Sequence, residues 1–192
     1  MELRGIAPAE REERARKALA QVGLAGFADA YPKALSHGMR QRCALARGFC
    51  LESDALLMDE PFGALDAQTK IQLEDLLLEL WGLTRRTVVF ITHDLAEAVA
   101  LADRVIVMGA RPGRIVADMA IDLPRPRHVR ELQRDPAFLS LYSQVWEQLE
   151  RGIQMSEGAT AGAPGISAVS ATSCFSWSST DCGNGSVATA FS

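Results

Sequence analysis

The sequence predicts an α/β fold built on a buried parallel β-sheet. Three short runs, 55–58 (ALLM), 88–91 (VVFI) and 105–108 (VIVM), are apolar on both faces, as strands covered on both sides must be. Residues 67–81 separate the first two with apolar side chains at helical spacing, which suits a crossover connection. With 192 residues, 48% of them hydrophobic, the chain can bury one ordinary core without disulfides or repeats.

The remaining elements follow in order. Residues 8–22 alternate small apolar side chains with Arg and Glu, and Pro8, Glu10 and Glu12 suit the first turn of an exposed helix. A second helix is expected over 38–50, with Met39, Cys43, Ala46 and Cys50 near one stripe and both cysteines as core thiols. After a turn at 111–114 a further strand is expected over 115–120, and the prolines of 123–127 break regular structure. A last helix should span 136–149. Beyond Gly152 the composition shifts to Ser, Ala, Thr and Gly with almost no charge, which reads as a disordered tail. The organisation expected is 1–50 helical, 51–122 core, 123–152 C-terminal extension and 153–192 tail.

Composition narrows the function. With 24 acidic and 20 basic residues the net charge is -4, so no broad positive field is available for a nucleic-acid backbone. Cys43, Cys50, Cys174 and Cys182 form no CxxC pair, and a reduced cytoplasm is expected. The apolar runs are too short to cross a bilayer, so a membrane role would come through a partner.

In open α/β sheets ligands bind beyond the carboxyl ends of the strands. The first run closes with Asp59-Glu60; on an extended strand neighbouring carboxylates face opposite ways, so one can hold Mg²⁺ while the other faces a water. The second run closes with Thr92-His93-Asp94, placing an imidazole where it could meet a transferred phosphoryl group.

Four strings stand in a telling order: LSHGMRQR from Leu35, LLMDEP from Leu56, GALD from Gly63 and ITHD from Ile91. They resemble the signature motif, Walker B strand, D-loop and switch histidine of ATP-binding-cassette (ABC) ATPases. The resemblance runs from Leu3 to about Leu149. It implies part of a P-loop NTPase domain, a parallel sheet with helices plus part of the helical signature subdomain, using ATP and Mg²⁺. Asp59 would hold Mg²⁺ through water, Glu60 would polarise the attacking water, His93 would contact the γ-phosphate, and Asp66 would link two sites across a dimer. Ser36, His37, Gly38 and Met39 would serve the ATP of the opposite subunit, Ser36 adding its hydroxyl to the helix N-terminus. His37 stands where the family usually has glycine, which matters if that backbone needs positive φ.

The sequence contains no GxxxxGK[ST] segment, the backbone cradle and lysine that grip phosphates. The family places that loop before the signature, so a C-terminal fragment, unable to hydrolyse ATP alone, is expected. The strings PGRIVADMAIDLPRPR and FGALDAQT, with Trp146, resemble importers of the nitrate, sulfonate and taurine group. That implies a homodimer or paired ABC ATPase subunit, transmembrane permease subunits and, indirectly, a periplasmic solute-binding protein. The protein would lie in the cytoplasm, peripheral on the inner membrane face. The alternatives are a non-hydrolysing module that lends its signature helix to a partner, or a gene fragment without function. A sheet missing strands would also expose an apolar edge and lower solubility.

Overall fold

The computed structural model describes residues 5–51, 53–63, 65–109, 113–159 and 171–175, with backbone alone for 155–159 and 171–175. The helices are α1 (Pro8–Gln21), α2 (His37–Cys50), α3 (Ala67–Thr84), α4 (Leu95–Leu101), α5 (Val129–Leu132) and α6 (Pro136–Ala159). The strands are β1 (Ala55–Asp59), β2 (Thr87–Thr92), β3 (Arg104–Gly109), β4 (Arg114–Ala120) and β5 (Ala171–Phe175). The α/β class therefore holds. In α1, Glu10–Arg14 and Glu12–Arg16 pair across one turn on the exposed face, while Ala18 turns to the core.

The strands form one sheet in the order β1-β2-β5-β3-β4. β1 and β2 pair in parallel, with Met58 opposite Phe90 and Asp59 opposite Ile91. β5 is antiparallel to both β2 and β3, so those two run the same way with β5 between them. β4 returns antiparallel along β3, because the connection from Gly109 to Arg114 is too short for a crossover. The sheet is thus mixed: the three strands expected from the apolar runs go the same way, and β4 and β5 run antiparallel to them.

Two described segments reach into or lie within the stretch expected as a tail. α6 runs on to Ala159 instead of ending at 149, and Ala171–Phe175 forms a strand inside the sheet. The facing edges of β2 and β3 each present backbone N–H and C=O groups, and β5 satisfies both. Backbone pairing of that kind leaves little trace in composition, although Thr172 and Phe175 are residue types that suit a strand. The rest of the tail, 160–170 and 176–192, lies outside the described residues.

One apolar cluster joins the helices to the sheet. Phe90, Leu73, Leu101, Val105, Val107 and Val145 are fully buried, and the Phe62 and Phe90 rings sit 5.8 Å apart. α3 is capped by Asp66, whose carboxylate accepts from the Thr69 N–H, and presents Leu73, Leu76, Leu77, Leu80 and Trp81 to this core. Cys43 and Cys50 are free thiols, packed against the cluster but only partly buried. β1 departs from the doubly covered strand expected: it lies at the sheet edge, with Met58 buried and Leu57 76% exposed.

Thr172→Pro removes one backbone N–H from a strand paired on both sides. Thermal unfolding followed by circular dichroism should show Tm falling by roughly 5 °C or more. An unchanged Tm would mean that β5 does not bind the two halves of the sheet together.

Candidate functional site

The parallel register of β1 and β2 brings their carboxyl ends to the same level. The Glu60 N–H continues the pairing by donating to the Ile91 carbonyl at 2.9 Å. Glu60 then leaves the strand with φ of +41°, a left-handed conformation uncommon for a residue with a side chain. This corrects the expectation that strand alternation separates Asp59 from Glu60: Asp59 is the last strand residue, and the turn, not the pleat, aims Glu60. Phe62, 1% exposed, anchors the turn in the core, and the Gly63 N–H donates back to the Glu60 carbonyl.

That turn brings Glu60 to His93, whose Nδ1 lies 3.1 Å from Glu60 Oε1. Both side chains remain more than half exposed, so the pair is open to a ligand. Asp59 is exposed beside them. Among the described residues no group of three or more His, Cys, Asp or Glu side chains could hold a metal ion. Asp59 fits Mg²⁺ in the way that ion is often bound, by one or two carboxylates with waters and phosphate oxygens completing the shell.

Beneath His93 lies a network of four side chains. Thr92 Oγ1 accepts from the Asp94 N–H at 3.0 Å and donates to Glu97 Oε2 at 2.6 Å. Asp94 Oδ1 caps α4, accepting from the N–H groups of Ala96 and Glu97. Lys70, reaching across from α3, closes the network at 2.6 Å from Asp94 Oδ2 and 2.5 Å from Glu97 Oε1. Burial opposes the charge on Lys70, but its hydrogen bonds to Asp94 and Glu97 outweigh that and raise its pKa. Burial likewise works against the Asp94 carboxylate, and the bond from Lys70 overcomes it, lowering that pKa.

The signature residues form a second group. α2 begins at His37, one residue earlier than expected, with Ser36 as N-cap accepting from the Met39 N–H at 3.3 Å. His37 is thus an ordinary first helical residue; the positive-φ residues with side chains are Glu60 and Arg85 among those described, so no glycine is required at 37 on that ground. Gly38 has a packing reason: a Cβ there would lie 3.0 Å from Thr69 Cγ2, in the first turn of α3. Asp66, capping α3 through Thr69, is held below its ordinary pKa by that backbone hydrogen bond. The structure thus gathers Asp59, Glu60 and His93 at the strand ends, and Ser36 to Met39 with Asp66 at two neighbouring helix N-termini.

Fold and motif order agree with the class of ABC transporter ATP-binding domains, and residues 2–63 match the family model described as ABC transporter. Among relatives, a Brucella abortus protein named for ATP binding is 52% identical over 142 residues, covering 74% of this chain and 54% of that protein. An aliphatic sulfonates import ATP-binding protein of Pseudomonas syringae pv. syringae is 48% identical over 131 residues, 68% of this chain and 54% of its own. One of Rhizobium johnstonii bearing the same description is 47% identical over 145 residues, 76% of this chain and 56% of its own. The chain spans about half the length of the curated relatives it matches.

Lys70, Glu74 and Glu97 escaped the sequence reading. The one available signal was the Asp94-x-x-Glu97 spacing, that of an N-cap and its N3 partner. Glu74, one turn beyond Lys70 on α3, is 3% exposed, and burial, then the Glu97 charge, push its pKa up to about 7. A carboxyl whose folded pKa is raised stabilises the fold below its unfolded pKa and loses that contribution as pH rises through the folded value. Stability should therefore fall between about pH 4.5 and pH 7 on account of Glu74. Glu74→Gln should flatten that fall and gain on the order of 1–3 kcal/mol at pH 8. Urea denaturation at pH 5 and pH 8 measures it; an equal effect at both pH values would contradict a charge buried at cost.

Proposed function

We propose that this chain supplies the hydrolytic and signature elements of an ATP site in an ABC importer of the nitrate, sulfonate and taurine group. The observation that carries the reading is the 3.1 Å contact between His93 Nδ1 and Glu60 Oε1, at the carboxyl ends of paired strands and beside Asp59. The sulfonate-import names of two relatives support the branch.

In this reading bound ATP with Mg²⁺ supplies a phosphoryl group whose transfer to water is aided by positioning and charge compensation. Asp59 would hold the ion through water. Glu60 accepts a hydrogen bond from the attacking water and receives its proton, the general-base role open to an exposed carboxylate at this place. His93 lies with its Nδ1 against Glu60 Oε1 and its Nε2 on the side open to a phosphoryl group. Ser36, His37, Gly38 and Met39 offer the N-terminus of α2 to the ATP of a facing subunit, where unpaired N–H groups and the helix dipole favour an anion. Asp66, at the start of α3, connects that face with the turn carrying Glu60.

The division into 1–50, 51–122, 123–152 and 153–192 belongs to the same proposal, as do a homodimeric or paired ATPase subunit, permease subunits and a periplasmic binding protein as partners. No helix of the described residues is long and apolar enough to cross a membrane. We place the chain in the cytoplasm, peripheral on the inner membrane face. The absence of a GxxxxGK[ST] segment favours one second reading, in which the chain hydrolyses nothing alone and lends α2 to a partner's ATP.

The test joins the chain to a segment that carries a phosphate loop and follows phosphate release. Glu60→Gln should cut turnover by about 10²- to 10⁴-fold while ATP stays bound. Unchanged turnover would refute the role given to Glu60.

A further inference from the structure

His93 has little of its own to hold it in place. Its ring is 60% exposed, and its hydrogen bond to Glu60 joins it to a side chain that is itself 53% exposed. The residues on either side of it are fixed instead. Thr92 is 2% exposed with its hydroxyl committed to Asp94 and Glu97, and Asp94 is committed to two N–H groups of α4 and to Lys70. Lys70 therefore ties both carboxylates of the 92–97 turn to a separate element, α3.

The origin of Lys70 gives that tie a direction. Its own N–H donates to the Asp66 carbonyl at 2.9 Å, so it stands one turn into the helix that follows the Glu60 turn in the chain. α3 thus begins just after the Glu60 turn and, at Lys70, four residues past its cap Asp66, reaches the His93 turn. We propose that Lys70 is a positioning residue for the His93–Glu60 pair, locking the 92–97 turn to α3 so that both partners are referred to one rigid helix. Of the two carboxylates Glu97 is 3% exposed and Asp94 38%, so the Lys70–Glu97 arm holds its geometry better than an exposed pair, and removing the cation leaves Glu97 without its counter-charge. The inference rests on reading His93 and Glu60 as the catalytic pair.

The test uses the full chain without nucleotide. Ring resonances of His37, His93 and His128 are recorded by heteronuclear NMR and assigned by single His→Gln changes, in wild type, Lys70→Met and Lys70→Arg. Lys70→Met should move the His93 resonances while those of His37 and His128 stay, and should speed amide exchange at Ala96 and Glu97 by tenfold or more. Lys70→Arg should restore most of both. His93 resonances that superimpose on wild type in Lys70→Met, or equal movement of all three histidines, would overturn the proposal. Where Lys70→Met does not fold, Asp94→Asn decides by the same criteria, since asparagine keeps the cap and loses the charge. An unmoved His93 alongside a Glu60→Gln turnover loss sinks this inference alone; a moved His93 alongside unchanged turnover sinks the catalytic reading and leaves the positioning intact.

Discussion

The pairing of β1 with β2 is the constraint on which the rest of the site depends. Because the two strands are parallel and in register as far as Asp59 and Ile91, Glu60 and His93 leave adjacent strands within one residue of the same level. A slip of one residue would turn Met58 away from the core and carry Glu60 out of reach of the imidazole. The register is held from below by the packing of Phe90 with Phe62, one on β2 and the other in the turn after β1. The same aromatic pair that fills the core therefore sets the spacing of two polar groups above it. The left-handed backbone of Glu60 is the local cost of this arrangement.

Much of this was legible in the sequence because it rests on local signals. Apolar runs marked β1, β2 and β3, helical periodicity marked α3, and Ser36 and Asp66 stood where caps belong, ahead of helices that begin at His37 and Ala67. Glu60 and His93 were found because both follow strands, and their contact follows from register. What stayed hidden depends on partners distant in the chain. Lys70 reads as an ordinary helical lysine until α3 is laid beside α4, and Glu74 reads as a surface acid until its face of α3 is seen to be covered. The positive φ of Glu60 had no glycine to announce it.

The sheet shows how position in a fold can override composition. Residues 171–175 lie in a stretch with almost no charge and few large apolar side chains, yet they pair with two strands at once. Two codirectional strands one strand-width apart leave a double row of backbone donors and acceptors, and a short extended segment satisfies them whatever its side chains. The opposite holds at β1, whose sequence is that of an interior strand but whose outer face is open, leaving Leu57 in solvent. An apolar edge of this kind invites association.

The proposal is that Ser36 to Met39 and the Glu60–His93 pair serve an ATP site, in a sequence that contains no GxxxxGK[ST] segment. Titration of a fluorescent ATP analogue with Mg²⁺ against the full chain, first alone and then with an ABC ATP-binding domain carrying an intact phosphate loop, tests it most directly. The account predicts no micromolar binding by the chain alone, and slower release of nucleotide from the added domain in its presence, an effect lost on Ser36→Ala. Micromolar binding by the chain alone, or release from the added domain that ignores the chain, would contradict it.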